Sequence, residues 1–260
     1  MGYNKIIRYA DIIETYTYDR QLPIRSGARR GISRRNALGS LDHDGDRQLS
    51  PQEFEGKRKD NAMRASMVFR RLVSANLDGA HHPLLLTLTY KDNETSLKAG
   101  YKDFGSFIQA LRYKYGNVFR YIAVPEFQKR GAVHFHALFW DLPDSAFETE
   151  RQTRTIARLW GHGFVYMKMT DGNQRLSSYL TKYMAKSFTD HRLMNQKAYV
   201  RSRNLIKPVI ASVSNFGLDA FLDEAGAGTP EIDKSYDTHW LGRGRHRIYK
   251  LSDVNSSEKS

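Results

Sequence analysis

The run Ala132–Trp140, AVHFHALFW, constrains the fold more than any other part of the chain. It is apolar, bounded by turn residues and too short for an ordinary helix, so it reads as a buried strand. Side chains on a strand alternate between its faces. Val133, Phe135, Ala137 and Phe139 then share one face and enter a core, while His134 and His136 share the other. Just upstream, Gln128-Lys-Arg-Gly131 has turn composition, with Gly131 able to take a positive φ. Phe119–Phe127 before it reads as the other strand of a hairpin.

The neighbouring segments extend this pattern. Leu84–Tyr90 (LLLTLTY) is a second buried strand, and Tyr101–Tyr115 is a helix with Phe104, Phe107, Ile108 and Leu111 on one side. Residues 145–160 read as a helix, Gly163–Thr170 as a strand and Gln174–Ser187 as a helix. Earlier, Ser50-Pro51-Gln52-Glu53 has a capping serine, a proline at the first helical position and the glutamate of a capping box. The stripe Met63, Met67, Val68, Leu72, Ala75 carries that helix to about Asn76. The element order predicts an α+β domain over residues 51–210, with a mostly antiparallel sheet and helices on one side. The other face is then free to hold a site. Residues 1–50 read as a basic arm with a short strand or two, and 211–260 as a basic extension ending in a polar tail, with a loop at 224–236.

Charge narrows the function. Forty-one Lys and Arg against 28 Asp and Glu give a formal net charge of +13 in 260 residues, the signature of a polyanionic partner. Basic residues cluster at Arg29, Arg30, Arg34 and Arg35, at Lys57, Arg58 and Lys59, and at Arg243, Arg245 and Arg247. Aromatics lie among them, as in proteins that stack single-stranded bases on rings. With no cysteine, the chain has neither a disulfide framework nor thiolate zinc sites, which fits a cytoplasmic protein. No apolar run approaches the length of a membrane span, and the first residues lack the apolar stretch of a secretory signal.

Two constellations carry chemistry. His134 and His136 can converge on one cation, though a lone His-x-His is equally a pair of partly exposed sheet histidines. Glu126 sits on the preceding strand of the same hairpin, where cross-strand neighbours come within about 5 Å, and is a candidate third ligand. Two imidazoles and a carboxylate leave open positions and suit Mg²⁺ or Mn²⁺ better than closed structural zinc. Downstream, Tyr179 and Tyr183 are one helical turn apart on one face, with Lys182 and Lys186 beside them. A phenol is a poor nucleophile at its ordinary pKa of about 10, and adjacent lysines and a metal favour the phenolate. The alternative is an amphipathic helix with core tyrosines and solvated lysines.

The combination LLLTLTY, EFQKRGAVHFH and YLTKYMAK, in that order, resembles the three motifs of HUH-superfamily rolling-circle replication initiators. The two-tyrosine segment is similar to that of initiators from small single-stranded DNA phages, and the likeness runs from about residue 60 to SRNLIKP (Ser202–Pro208). The resemblance implies an RRM-like antiparallel sheet and a sequence-directed single-strand DNA endonuclease and strand transferase. His134 and His136 would hold the metal with Glu126 as third ligand. Tyr179 would make the first cut, leaving a 5′-phosphotyrosine and a free 3′-OH, and Tyr183 would serve the later transfer. Lys182 would steady the phosphate or the phenolate. The chain carries no GxxxxGK[ST] segment, so a host helicase would unwind the origin and a host polymerase extend the 3′ end. An HUH transposase shares the chemistry; a relaxase generally places its tyrosine before the histidines. A non-catalytic single-strand-binding module would explain the charge and the sheet, but not the histidines, glutamate and tyrosines together.

Asp42–Glu53 also looks like a calcium loop, with acids at loop positions 1, 3, 5 and 12. Arg47 stands where the sharp turn needs glycine, so an acidic turn ahead of the helix at Pro51 is the competing reading.

Overall fold

The computed structural model describes residues 3–20, 51–77, 83–143, 146, 150–170, 176, 179–183, 190–193, 196–238 and 241–251; at 51–55, 57–61, 152 and 191 it describes the backbone alone. In chain order the elements are β1 (Tyr3–Tyr9), β2 (Ile12–Tyr18), α1 (Pro51–Ser74), β3 (Leu84–Thr89), α2 (Leu97–Tyr115), β4 (Arg120–Phe127), β5 (Val133–Trp140) and α3 (Glu150–Trp160). There follow β6 (Val165–Met169), a helical stretch at 179–183 (α4), β7 (Val200–Arg201), β8 (Val209–Val213), α5 (Asn215–Glu224), β9 (Ile232–Thr238) and β10 (Gly242–Lys250). Contacts divide the chain into two units, Arg58–Ile206 and the pair of segments Met1–Lys57 and Lys207–Ser260.

The larger unit is built on an antiparallel sheet of order β6-β3-β5-β4-β7. This is the expected α+β class, and the sheet is consistent with an RRM-like architecture. β5 is the middle strand, and all eight of its residues are buried. On one face Leu84, Leu86, Leu88, Val133, Phe135, Ala137 and Phe139 meet Phe104, Phe107, Ile108 and Leu111 of α2 and Ile156 and Trp160 of α3. α2 begins four residues earlier than its aromatic stripe suggests, because Ser96 caps it, its Oγ accepting from the Ala99 amide at 3.3 Å. Gly100 lets α2 approach β5 closely; a Cβ there would lie 3.0 Å from Val133 Cγ1.

The opposite face is not left bare, and helices pack on both sides of the sheet. Leu85, Ile122, Val124, Leu138 and Trp140 form an apolar strip there that Phe69, Leu72 and Val73 of α1 cover, together with Leu176 and Leu180. The histidine–apolar alternation of β5 stops at His136, and Leu138 and Trp140 continue the histidine face as core. The two histidines, with Thr87, Thr89 and Glu126 of the neighbouring strands, lie at one end of that face. Of the segment Gln174–Ser187, the described residues Leu176 and 179–183 are helical.

Asn76, just past α1, fastens this packing. Its amide nitrogen donates to Leu72 O (2.8 Å) and Ile206 O (2.9 Å), and its oxygen accepts from the Ile206 amide (3.0 Å) and from Arg120 Nη1 (2.8 Å). Arg120 is also paired with Asp141 at 2.6 Å.

In the other unit the first and last described segments form one sheet, of order β8-β1-β2-β10-β9. Within residues 1–50 the strands are β1 and β2, and within the C-terminal extension β9 and β10, with Ile13 opposite Tyr249; the polar tail lies outside the described residues. Ile6, Ile13 and Tyr249 pack against Leu218 and Leu222 of α5. The segment read as a loop at 224–236 is a loop only as far as β9, which begins at Ile232. Its polar sequence hid the strand because β9 is an edge and mostly exposed. Arg245 and Arg247 flank Asp233 at 2.5 and 3.6 Å, so this part of the C-terminal basic cluster is internally paired. Arg29, Arg30, Arg34, Arg35 and the Asp42–Ser50 part of the calcium-like loop lie outside the described residues. No helix among the described residues is long and apolar enough to cross a membrane.

Replacing Asn76 with Ala leaves the Arg120 guanidinium, the Leu72 carbonyl and both backbone groups of Ile206 short of a partner. We expect a loss of roughly 2–4 kcal/mol, read as a lowered thermal unfolding midpoint. A midpoint unchanged within error would show that this network does not fasten α1 to the sheet.

Candidate active site

The register of three adjacent strands assembles the polar end of the sheet. On β5, His134 and His136 stand opposite Thr89 and Thr87 of β3 on one side, and opposite Glu126 and Val124 of β4 on the other. The ring centroids of the two histidines are 4.6 Å apart. Both are buried, at 9% and 5% exposure, so the reading of partly exposed sheet histidines does not apply. A buried imidazole needs partners. Thr89 Oγ1 lies 3.1 Å from His134 Nδ1, and Thr87 Oγ1 lies 3.4 Å from His136 Nδ1. Gln128 Nε2 is also 3.2 Å from His134 Nδ1. The Nδ1 side of each ring is thus engaged by the protein.

On the other nitrogen, His136 Nε2 bonds Glu126 Oε2 at 2.9 Å. Glu126 faces His134 in register but reaches diagonally to His136. Among the described residues no three His, Asp or Glu side chains are drawn together as a ready cation cage; here glutamate and histidine hold each other. The donor set nonetheless suits a divalent ion: two imidazoles anchored through Nδ1, each with Nε2 as its second nitrogen, and one carboxylate already on the Nε2 side. Burial pushes the His134 pKa down to about 4, helped by its neighbour His136 and opposed by Glu126. The ring is therefore neutral near pH 7, as a metal ligand must be.

α4 brings the tyrosines to the same place. The Tyr183 ring stacks on His136, with centroids 3.8 Å apart and planes 25° from parallel. Tyr183 Oη donates to Tyr179 Oη at 2.8 Å, and the two rings meet edge to face. Leu180, fully buried between them in sequence, anchors the helix in the apolar strip. Burial, the bond to Tyr179 and the Glu126 charge raise the Tyr183 pKa to about 12. Tyr183 keeps its proton and offers it to Tyr179, the more exposed of the two at 42%. A phenolate on Tyr179 would receive that hydrogen bond. Lys182 lies on α4 with its side chain exposed. Lys186 is outside the described residues. The structure thus brings Glu126, His134, His136, Tyr179 and Tyr183 together and leaves Lys182 facing solvent.

Three contributors escaped the sequence reading. Thr87 and Thr89 orient the imidazoles, and the alternation of LLLTLTY signals them: Leu84, Leu86 and Leu88 face the α2 core, so the threonines face the histidines. Gln128 belongs to the turn, and nothing in its type marks it. The end of β3 is fixed in turn by Gly163. The Thr89 amide donates to Phe164 O at 2.9 Å, and a Cβ on Gly163 would lie 2.4 Å from Thr89 O.

Residues 83–188 match the family model described as replication-associated protein ORF2/G2P, a match that supports a replication-initiator role. The matched span contains Glu126, His134, His136, Tyr179, Lys182 and Tyr183. No match was found among curated proteins or among solved structures.

The depressed pKa of His134 has a measurable consequence. A ring that resists protonation in the folded state contributes stability that is present above its unfolded pKa of about 6.5. That contribution is lost as pH falls through about 4. In an NMR titration His134 should stay neutral at pH 6 and titrate near pH 4; titration at an ordinary histidine value would contradict its burial between β3 and β4.

Proposed function

We propose that this protein initiates rolling-circle replication by cutting one DNA strand with a tyrosine, beside a divalent cation held by His134, His136 and Glu126. The observation that carries the reading is the stack of Tyr183 on His136 with Tyr179 hydrogen-bonded to it. Nucleophile candidates and a metal-suited donor set lie within one side chain's reach, inside the segment that matches the replication-associated family. Held by His134, His136 and Glu126, a Mg²⁺ or Mn²⁺ ion would supply Lewis-acid polarisation of the scissile phosphate.

The chain's own groups account for the rest. Tyr179 loses its proton to solvent, and the phenolate is steadied by the Tyr183 hydroxyl. Its oxygen forms a bond to phosphorus as the bond from phosphorus to the 3′-oxygen breaks. The departing 3′-oxygen takes up a proton, and the 5′ end stays on Tyr179 as a phosphotyrosine ester. Tyr183 then serves the second transfer, which closes the circle. Lys182, exposed on the same helix, is available to a phosphate of the bound strand. The partner is a single-stranded origin, with a host helicase and polymerase acting on the open duplex and the free 3′-OH, in the host cytoplasm.

Incubation of Tyr→Phe variants with single-stranded origin DNA and Mn²⁺ tests this. Tyr179→Phe should reduce the covalent adduct by about 10³-fold or more. Tyr183→Phe removes one hydrogen bond to a charged oxygen and should slow the first cut about tenfold while abolishing strand closure. His134→Ala or His136→Ala should abolish cutting but preserve most of the salt-sensitive DNA affinity, which phosphate contacts supply. An adduct formed by the double tyrosine variant would overturn the assignment.

A further inference from the structure

The two histidines are not equivalent, and the difference lies in which partners can switch between donor and acceptor. Arg130 Nε donates to Gln128 Oε1 at 3.1 Å. A guanidinium has donors and no acceptor, so it fixes the oxygen end of the Gln128 amide toward itself. Arg130 is tethered by the carbonyls of Tyr90 and Lys91, at the end of β3. The nitrogen end of Gln128, a donor only, is thereby turned to His134 Nδ1 at 3.2 Å. Only a lone pair can meet it, so the neutral ring carries its proton on Nε2. Thr89 Oγ1, also at Nδ1, is a hydroxyl and adapts to either state.

At His136 a hydroxyl stands at Nδ1. That partner, Thr87 Oγ1 at 3.4 Å, can donate or accept. The His136 proton can therefore move from Nε2 to Nδ1, freeing Nε2 as a ligand, with a rotation of one hydroxyl. For His134 the same shift places an N–H against the N–H of Gln128. Ligation through His134 Nε2 requires Gln128 to turn away, against the hold of Arg130.

The geometry points to Gln128, locked by Arg130, as a positioning residue that keeps His134 in its Nε2–H form and so weakens cation binding at the site. This rests on the reading of His134 as a metal ligand. It assigns Gln128 the opposite sign from an ordinary supporting partner, whose loss costs about 10–100-fold in metal affinity.

Two charge-conserving variants of the full chain test it, Gln128→Met and Arg130→Lys. The imidazole protons are located by ¹⁵N–¹H spectra of the metal-free protein, and affinity is read by titration with Mn²⁺ alone, followed by electron paramagnetic resonance. The wild-type His134 should show a proton on Nε2. In Gln128→Met it should move toward Nδ1, accepted by Thr89, and Mn²⁺ should bind several-fold to about tenfold more tightly. Arg130→Lys should shift both readouts in the same direction by less. A wild-type proton on Nδ1, or Mn²⁺ affinity that is unchanged or falls in Gln128→Met, overturns the inference. A proton that shifts as stated while no variant binds Mn²⁺ overturns the cation-site reading instead, and with it the effect on affinity.

Discussion

The structure of the larger unit depends on one constraint: the middle strand of its sheet carries two imidazoles that must be buried and still be satisfied. An unpartnered buried polar group costs about 1–3 kcal/mol. The protein meets this by pairing β5 with β3 in the register that sets Thr87 against His136 and Thr89 against His134. A slip of one residue would turn the histidines toward Phe104 and Phe107 and the phenylalanines out of the core. Register, hydrogen bonding and core packing therefore select the same arrangement. On the other side of β5, the β4 hairpin delivers Glu126 to His136.

From that arrangement the rest of the site follows by proximity. The apolar strip beyond His136 is covered by α1 and by Leu176 and Leu180. Leu180 pins α4 where the next turn places Tyr183 on the His136 ring. The tyrosine pair is polarised by its surroundings. The more buried phenol holds its proton and donates, and the more exposed one accepts. For the proposed reaction this division of roles favours Tyr179 for the first cut, a preference that the sequence reached only through resemblance.

Much of this was legible in the sequence because it depends on local periodicity. The alternation in AVHFHALFW and LLLTLTY places the histidine pair and the core, and the QKRG turn fixes the hairpin that carries Glu126. What escaped depends on long-range pairing or on a single contact. β2 pairs with β10, and β1 with β8, across more than two hundred residues of sequence, and polar edge strands such as β9 lack a hydrophobic signature. The covering of the histidine face by α1 depends on Leu138 and Trp140 continuing a face that begins as histidine. Gln128 is a turn residue whose role exists only because Arg130 orients its amide.

The central claim is that the histidine pair holds a cation beside the tyrosines. Anomalous diffraction from a crystal of the protein grown with Mn²⁺ tests it most directly. The account predicts one strong peak within about 2.0–2.3 Å of Nε2 of both His134 and His136 and of a Glu126 oxygen, on the side of the sheet where Tyr179 and Tyr183 lie. A peak elsewhere, or none at a concentration that supports DNA cutting, would contradict it.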